Sequence, residues 1–588
     1  MIKNIKIQLL VCAGLFITLS SNAAQGQKLV PSIPTQISVG VGPAAPDSES
    51  DEVVVSPNGN IVAFKSLASN LVEGDTNQAA DVFVRAPNGV ISRASLSSDG
   101  SQGDGPSRDP ALSQIEPNGA YGVAFVSRAS NFVQGLSNQE LEYGQVYLRL
   151  PHLNKTILVS QGYPGSGFVA GLGTSEHPSV VSLDGGATFL VAFHSQAYNI
   201  VQRAVPPGAT QAPPKRIFIA TVNPTTGAVS IDALRAGITN DPRVDFFDPV
   251  LNGSGTRIAF RTNSEELGWT NPSRFTYQVV MGNKSNKGIF ELISRSPVDG
   301  SPGTQSSDHP SMSFDGNVIA FKTSAPNILD ASPNSPSLVA YDVTSKKFSL
   351  INANQAGERG NQYVQESVRL DPKGRFAVFT DSSDNYLPVG EDTNSRGDIY
   401  VKDILKGSIV RVNVGANGVQ ETDGYTGGPW IGTLGYNSQT LTVGFHSSGT
   451  ALLQYPRSPA GLVREVYRSN LSFPPPALQK NAPIETPPDV TPGARKVTLV
   501  LQKFTLPTSL SALADLSTLA TKVTYDIRLT RTSSKEQRKI TTTKNRITLR
   551  NISPGTYTVK YRASGTNSKG KKITTRFSPT QTVKVTKG

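Results

Sequence analysis

The chain is poor in cysteine, tryptophan and charge. Its 588 residues include one cysteine and two tryptophans, and 17% of them are charged. The cysteine, Cys12, lies in an apolar run near the N-terminus, without the leucine and small residues that precede a lipidated cysteine. We therefore interpret it as removed with that run, which leaves no thiol and excludes disulfides and thiolate chemistry.

Long apolar stretches are missing after the first 26 residues, so we expect no membrane-spanning helix. Residues 1–26 are typical of a signal peptide. Lys3 and Lys6 precede an apolar core from Ile7 to Leu19, and Ser21-Asn22-Ala23 resembles a cleavage site. We therefore expect an exported protein, either periplasmic or extracellular.

A further absence concerns catalysis. The sequence has no Gly-x-Ser-x-Gly elbow, and the residues that follow the repeats described next are too few for an α/β-hydrolase domain. Any enzyme activity would therefore have to lie within the repeats.

What the sequence does contain is one unit repeated along residues 51–470. In its first copy, the turn Pro57-Asn58-Gly59 precedes an apolar run ending at Phe64, and a strand-like run, Asp81–Arg85, follows. The aromatic residue that ends the second strand serves as a marker, and its copies are 58 to 68 residues apart. These markers are Phe64, Phe125, Phe193, Phe260, Phe321, Phe379 and Phe445.

Each copy predicts four short strands rich in β-branched and aromatic residues. A four-stranded sheet cannot bury both faces alone, so the copies must stack around an axis as the blades of a β-propeller. The seventh copy lacks a fourth strand, whereas Gln36–Gly40 precedes the first copy as a spare one. We therefore predict an all-β fold in which residues 28–473 form a seven-bladed propeller, closed by the N-terminal strand.

Four motifs carry a family resemblance. Ser56-Pro57-Asn58-Gly59, Val62-Ala63-Phe64 and Gly74-Asp75-Thr76-Asn77, with Asp81-Val82-Phe83, resemble the TolB-type (WD40-like) propeller repeat of bacterial envelope proteins. The resemblance covers residues 35–471 and implies the fold. It implies no reaction, because propellers of this kind serve many purposes.

The C-terminal part differs in composition. Seven prolines between residues 474 and 494 predict an extended linker. Residues 495–588 alternate like sandwich strands. Ile552–Val559 resembles the turn and tyrosine-bearing strand of a fibronectin type III domain. We therefore predict an Ig-like or fibronectin type III-like sandwich, although the tryptophan usual in an early strand of that family is absent.

Charge divides along the same boundary. Residues 495–588 hold 20 Lys or Arg against three acids, a net +17, which leaves residues 28–494 at −7. This basic module could dock on the propeller or on anionic envelope polymer or lipid, or it could be a solvated surface. Nucleic acid is not expected as a partner of an exported protein whose basic strands carry no aromatic platform.

Two acidic loops share one spacing. Asp75, Asn77 and Asp81 in the first copy correspond to Asp392, Asn394 and Asp398 in the sixth. Oxygen ligands at such spacing can hold calcium or another divalent cation. The alternative is an Asx turn, because the asparagine recurs as Asn138, Asn271 and Asn334 without the acids. No other cofactor is predicted.

A second set precedes each first strand: Glu52, Asp109, His177, Asp248 and His309. In a propeller the first strands line the axial channel, so these side chains are expected to converge at one channel mouth. Two histidines among carboxylates could bind a ligand or metal or supply acid and base. The alternative is that they brace neighbouring loops.

Three functions remain open at this point. The interpretation we favour from the sequence is a non-enzymatic binding protein whose propeller face recognises a protein or glycan. The alternative is a hydrolase or lyase that acts at the channel mouth through the five residues of the second set. A carbohydrate-binding role for the basic sandwich is a third.

Overall fold

The computed structural model describes residues 29–472 and 489–585, apart from short gaps. These gaps are residue 43 and residues 203–213, 235–242, 285–288, 330–335, 366–367, 434–439, 453–462, 494–495, 501–523, 535–536, 543–545, 551–552, 567–571 and 575–580. The predicted signal peptide, residues 1–26, and most of the predicted linker lie outside the described residues.

Almost all regular structure is β-strand. Within residues 30–472 the described strands form seven antiparallel sheets. Six are built from consecutive strands, and the seventh also includes the two N-terminal strands. The strands that close the chain onto itself are β1 (Val30–Pro31) and β2 (Thr35–Gln36). The first sheet comprises β3 (Ser50–Val55), β4 (Val62–Ser66), β5 (Asp81–Arg85) and β6 (Ile91–Arg93). The second comprises β7 (Ser107–Leu112), β8 (Val123–Ser127), β9 (Gln145–Leu150) and β10 (Lys155–Leu158).

The remaining sheets of this region follow the same order. The third and fourth are β11 (Ser175–Leu183), β12 (Thr188–Ser195), β13 (Arg216–Val222), β14 (Val229–Ala233), then β15 (Phe246–Leu251), β16 (Arg257–Thr262), β17 (Gln278–Asn283), β18 (Phe290–Leu292). The fifth and sixth are β19 (Ser307–Met312), β20 (Val318–Thr323), β21 (Ser337–Asp342), β22 (Lys347–Leu350), then β23 (Arg369–Leu370), β24 (Phe376–Asp381), β25 (Asp398–Asp403), β26 (Ile409–Arg411). The seventh holds β27 (Thr426–Thr433), β28 (Thr440–Ser447) and β29 (Glu465–Ser472).

Helical structure is scarce in the part of the chain that is described. One short helix, α1 (Asn138–Leu141), begins with a capping box in which Ser137 and Glu140 satisfy each other's backbone N–H groups. Short 3-10 turns occupy Pro151–Leu153, Asp184–Gly186 and Ala416–Gly418. No helix among the described residues is long and apolar enough to cross a membrane.

The first strands of the sheets surround one axis. In chain order, β3, β7, β11, β15, β19, β23 and β27 each contact the next, and β27 contacts β3. The sheets therefore radiate from a central channel, which is the arrangement of a β-propeller. The predicted propeller fold is confirmed.

The N-terminal segment pairs with the last strand of the seventh sheet. Thr35 and Gln36 lie opposite Arg468 and Tyr467, and Val30 and Pro31 lie opposite Ser472 and Leu471. The segment predicted as the closing strand therefore occupies that position, but pairing begins earlier than expected and in two pieces. Proline explains the interruption, because residues 31 and 34 are prolines and cannot donate a ladder hydrogen bond.

The marker aromatics form the cores between the sheet faces. All seven are fully buried, at 0% exposure. Several stack on the aromatic of the third strand of the same sheet: Phe64 on Phe83, Phe125 on Tyr147, Phe193 on Phe218 and Phe445 on Tyr467. Because these contacts lie within one repeat, the repeated sequence produces them in each sheet.

The C-terminal part contains two further sheets. One is formed by β30 (Asp489–Gly493), β31 (Lys496–Val500) and β34 (Arg546–Arg550). The other is formed by β32 (Thr524–Arg531), β33 (Gln537–Thr542), β35 (Gly555–Thr566), β36 (Lys572–Thr574) and β37 (Gln581–Val585). Strand β30 lies inside the segment predicted as linker. Its Pro492 is tolerated because β30 is an edge strand, paired only with β31 in the described sheet.

Candidate functional site

The candidate site is built on a bulge that recurs in the first strands. In β3, β7, β11, β15, β19 and β27 the pairing register with the second strand slips at the same place. The extra residue has φ between 50° and 58° and is Glu52, Asp109, His177, Asp248, His309 or Gly428. The bulge turns the side chain out of the ladder toward the end of the channel. Four of the five predicted residues, all except Glu52, line one cavity on the axis.

Two of the five residues act as braces between sheets. The carboxylate of Glu52 accepts a hydrogen bond from the backbone N–H of Asp109 at 2.5 Å. The carboxylate of Asp109 in turn accepts one from the backbone N–H of His177 at 2.7 Å. Lys65 also lies 3.0 Å from Glu52. The side chains of Glu52 and Asp109 therefore brace neighbouring sheets, which is the alternative role considered for them from the sequence.

His177 and Asp248 face each other across the next sheet boundary. Nδ1 of His177 lies 3.9 Å from Oδ1 of Asp248, and the side-chain exposures are 53% and 11%. Arg261 Nε holds the other carboxylate oxygen at 2.7 Å. Burial acts to raise the pKa of Asp248, but the charges of Arg261 and the nearby histidines outweigh it and lower the pKa. Asp248 is therefore an ionised, immobilised carboxylate behind an accessible imidazole.

His194 joins this cluster, although the sequence analysis did not include it. Its ring stacks on that of His177 at 5.1 Å, and its side chain is 1% exposed. Nδ1 accepts a hydrogen bond from the backbone N–H of Asp248, so Nε2 carries the proton and faces Glu176 at 3.7 Å. Burial lowers the pKa of His194. The nearby imidazole N–H of His194, the hydrogen bond from Arg108 and the charge of Lys215 lower the pKa of Glu176.

His309 provides a second accessible imidazole at the same mouth. Its Nδ1 lies 2.9 Å from Oδ1 of the preceding residue, Asp308, and its side chain is 45% exposed. His309 lines the same cavity as His177 and Asp248. The structure thus brings His177, Asp248 and His309 together.

A sequence signal could have identified the missing members. The residue directly after each marker aromatic is cationic or histidine in five copies: Lys65, His194, Arg261, Lys322 and His446. These residues lie opposite the residue that precedes the bulge, as with Asp51 and Lys65, Glu176 and His194, and Asp308 and Lys322. A polar residue inside an otherwise apolar strand is the expected sign of such a pair.

Below the histidines the channel is apolar. The cavity has a volume of about 240 Å³. Seven buried side chains at equivalent positions of the seven first strands surround it, and we call them the apolar collar: Val55, Leu112, Val180, Leu251, Met312, Leu370 and Ile431. The layer between mouth and collar includes Arg369 and Trp430, whose guanidinium and ring lie 4.8 Å apart. The site therefore combines a polar mouth with an apolar interior.

The two acidic loops hold an arginine between their carboxylates. In the first sheet, Arg93 lies 3.0 Å from Asp75 and 3.3 Å from Asp81. In the sixth, Arg411 lies 3.1 Å from both Asp392 and Asp398. Burial raises the pKa of Asp398 to about 6 despite Arg411. A guanidinium thus takes the place that the sequence analysis assigned to a cation, and a calcium ion would have to displace it.

The asparagines of these loops form the alternative structure, an Asx turn. Oδ1 of Asn77 accepts a hydrogen bond from the backbone N–H of Ala79, and Asn394 does the same for Arg396. Their amide groups donate to Asp81 and Asp398. Among the described residues, no group of three or more His, Cys, Asp or Glu side chains is placed to hold a metal ion.

The solved structures that the chain resembles include a β-propeller domain. No family model and no curated protein sequence matches the chain. A puromycin-hydrolysing peptidase of Mycobacterium tuberculosis is 11% identical with a TM-score of 0.41, over 81% of this chain and 64% of that one. The propeller domain of the Trilobed protease of Pyrococcus furiosus is 12% identical with a TM-score of 0.38, over 72% of this chain and 94% of that domain. An acylaminoacyl peptidase of Pyrococcus horikoshii is 11% identical with a TM-score of 0.36, over 77% of this chain and 58% of that one.

These neighbours correct the functional interpretation favoured from the sequence. They are mostly hydrolases, peptidases above all, with an arabinofuranosidase of Fusarium graminearum among them. This set of neighbours contradicts the prediction of a non-enzymatic binding protein, and its alternative, an enzyme at the channel mouth, is a proposal. At TM-scores of 0.41 and below, the likeness carries no reaction or substrate over to this chain. The chain spans 64% of the length of the mycobacterial peptidase. Any activity must be argued from the channel mouth itself.

Proposed function

We propose that the chain is a hydrolase whose acid and base are the imidazoles of His177 and His309 at the channel mouth. The observation that carries the proposal is the pair formed by His177 and Asp248. An imidazole that is 53% exposed faces a carboxylate that is 11% exposed, and Arg261 fixes that carboxylate from behind. An accessible base oriented by a buried carboxylate is the arrangement that general-base catalysis needs.

Backbone geometry supports a role beyond structure for these histidines. A side chain at φ near +50° costs roughly 1–2 kcal/mol relative to right-handed backbone, and glycine avoids most of that cost. The seventh sheet uses glycine there, Gly428, with φ 58°. Glu52 and Asp109 offset the cost by bracing their neighbours. Among the described residues, the imidazoles of His177 and His309 make no comparable hydrogen bond to a neighbouring backbone, so a functional role is the better account of their side chains.

The reaction that fits is hydrolysis of an uncharged acyl bond, an ester or an amide. His177, starting neutral, takes a proton from a water molecule whose oxygen attacks the acyl carbon, and Asp248 stabilises the resulting imidazolium. His309, starting protonated and paired with Asp308, gives its proton to the departing oxygen or nitrogen. The 3.9 Å separation of His177 and Asp248 is of the kind that shortens when substrate binds.

The test is an activity assay on the full chain with 4-nitrophenyl esters of increasing acyl length and with amino-acid 4-nitroanilides. We expect the wild type to turn over at least one of these substrates. His177→Ala should lower kcat/KM by about 10²- to 10⁴-fold, and Asp248→Asn should lower kcat more than it raises KM.

His152→Ala is the matched control, because His152 belongs to the second sheet and has no contact with the mouth cluster. It should retain full activity. A wild type inactive on every ester and anilide, or a His177→Ala variant as active as the control, would show that the mouth is not a hydrolytic centre of this kind.

The architecture and location that accompany this function are also proposals. We infer a seven-bladed propeller, in which each of the seven sheets is one blade, followed by a fibronectin type III-like sandwich. For the sandwich, the support is the hydroxyl of Tyr557, which donates to the carbonyl of Ser553 at 2.8 Å as in a tyrosine corner. The signal-like N-terminus supports secretion to the periplasm or exterior, and the TolB-type motifs support an envelope setting.

The basic C-terminal module is proposed to hold the enzyme near an anionic envelope polymer or lipid surface. Its net charge of +17 against −7 for residues 28–494 supports this role. A protein or polysaccharide partner for the propeller face and a divalent cation at the acidic loops remain proposals. Nucleic acid is not proposed as a partner.

A further inference from the structure

The interior of the channel has a chemistry that the proposed reaction does not use. The acid and base lie at the mouth, whereas the deeper wall is formed by the apolar collar, with every collar residue 8% exposed or less. A polymer bound only at the mouth would leave this apolar cavity empty. An apolar space of this kind is itself a binding site for a group of matching size.

The size of the cavity limits what can enter. A cavity of about 150 Å³ lined by leucine, isoleucine and phenylalanine stays dry and binds benzene. The channel cavity, at about 240 Å³ with its polar mouth included, is larger than that, and its collar end has a comparable aliphatic lining. One substituted aromatic ring therefore fits, whereas a folded segment of peptide does not.

The wall between mouth and collar indicates an aromatic guest. Trp430 and Arg369 present two planar groups to the cavity, with the guanidinium 4.8 Å from the indole ring. Indole faces pair with aromatic rings in offset-stacked or edge-to-face geometry, worth about 0.5–1.5 kcal/mol beyond the area buried. An aliphatic chain would gain only the burial term. The stacked pair thus favours a ring over a chain of equal volume.

We infer that the axial cavity is the subsite for an aromatic group of the substrate, bound between the Arg369–Trp430 pair and the apolar collar. This inference rests on the proposed function for the position of the bond to be cleaved, which would lie above the ring, at His177 and His309. The substrate class is therefore an ester or amide that carries an uncharged aromatic group. Binding of that group does not itself require the histidines.

The experiment measures binding without turnover. The full chain carrying Trp269→Phe has Trp430 as its only tryptophan. It is titrated with 4-nitrobenzyl alcohol, an uncharged aromatic quencher, and the quenching of Trp430 fluorescence is followed. We expect saturable quenching, and weaker competition from cyclohexylmethanol than from benzyl alcohol.

Variants that fill the cavity provide the decisive comparison. Val250→Phe places a ring inside the cavity and should weaken binding of the probe at least ten-fold. Val298→Phe makes the same exchange at a residue that is 92% exposed and should leave binding unchanged. If Val250→Phe does not fold, Ala111→Leu, which also narrows the cavity, takes its place. Quenching that never saturates, or equal binding by filled and control variants, would overturn the inference.

The outcome is separable from that of the proposed function. His177→Ala should bind the probe within two-fold of the parent, because the ring lies below the mouth. If the protein binds the probe but hydrolyses no substrate, the aromatic subsite stands and the proposed reaction is wrong. If the protein hydrolyses esters but Val250→Phe binds the probe as well as the parent does, the proposed reaction stands and the aromatic subsite is wrong.

Discussion

The backbone N–H of Val466 donates to the side-chain oxygen of Ser38 at 2.9 Å, across 428 positions of sequence. The N–H of Ile37 donates back to the carbonyl of Val466 at 2.7 Å. These two hydrogen bonds join the ends of the propeller, so the stability of the ring depends on a short N-terminal segment. Such a closure leaves no bare strand edge at that point.

Two isoleucines of that segment test the closure. Ile37 is 1% exposed and packs in a core cluster with Val53 and Phe64, whereas Ile33 is 59% exposed. Ile37→Ala should lower the free energy of unfolding by about 2–5 kcal/mol, and Ile33→Ala by less than about 0.5 kcal/mol. Urea unfolding followed by circular dichroism measures both. Equal small effects would mean that the segment is a tail and not part of the ring.

Deletion extends the same test. Removing residues 28–42 exposes the edge of β29 and should cause aggregation, while transferring residues 30–44 to follow Ser472 should restore a folded monomer because strand order in space is unchanged. Size-exclusion chromatography separates the two outcomes. A deletion variant that stays monomeric with an unaltered melting temperature would contradict the closure.

The arginine between the acids of the first acidic loop is expected to be essential for stability. Arg93→Met leaves the buried carboxylates of Asp75 and Asp81 without their counter-charge, and we expect a loss of about 3–5 kcal/mol at pH 7. Burial raises the pKa of both aspartates, so protonation should reduce the loss at pH 4. Arg562→Met, which breaks a half-exposed pair with Asp526, should cost at most about 1 kcal/mol.

Calcium provides a second measurement on the same variant. With the guanidinium removed, the loop carries two carboxylates and an amide oxygen, which are ligands that calcium prefers. Millimolar calcium should therefore raise the melting temperature of Arg93→Met more than that of the wild type. A wild type that gains as much would show that the loop binds the ion without displacing Arg93.

Glu176 links stability to pH. Its pKa is lowered from an ordinary 4.5, first by the nearby imidazole N–H of His194 and then by Arg108 and Lys215. A carboxylate with a depressed folded-state pKa stabilises the fold above its unfolded pKa and loses that contribution as pH falls. Glu176→Gln should therefore be less stable than the wild type near pH 7, and the difference should shrink as pH is lowered through 4.5. Glu73→Gln, at an exposed position, should show no such convergence.

The bulge residues should separate stability from activity. Replacing His177 or His309 by glycine relieves a φ near +50°, so each variant should be as stable as the wild type or up to about 1 kcal/mol more stable, yet inactive. Asp109→Gly loses the acceptor for the N–H of His177 and should be destabilised instead. Thermal unfolding and ester hydrolysis are measured on the same preparations. If both glycine variants are less stable than the wild type, His177 and His309 have a structural role.

The C-terminal module should begin earlier than composition suggests. Asp489 to Gly493 pairs with Lys496 to Val500 along its whole length. A fragment of residues 489–588 should therefore fold alone and melt cooperatively, while the fragment 495–588, which lacks β30, should melt at a lower temperature. Circular dichroism melting compares the two. Equal melting temperatures would indicate that β30 contributes nothing to the module.

Much of the fold follows from the sequence because its signals are local. A Gly-containing turn, an apolar run and a marker such as Phe64 recur within each copy, and strand pairing inside a sheet joins segments that are close in the chain. The spare strand near Gln36 and the missing strand after Tyr467 were also visible, so the closure could be predicted. The position of β30 could not, because prolines suggest a linker wherever the partner strand is unknown.

The site depended on tertiary structure. The sequence alone placed Glu52, Asp109, His177, Asp248 and His309 at one mouth, because equivalent positions of a repeat must converge on the axis. It could not assign them different roles, since each role is set by the neighbouring sheet, some 60 to 70 residues away in the chain. Asp109 accepts a hydrogen bond from the backbone N–H of His177, whereas Asp248 faces the ring of His177. Nor could the sequence show that the guanidinium of Arg93 lies between the carboxylates of an acidic loop. Local spacing determines which oxygen atoms lie close together, but tertiary packing determines which cation binds them.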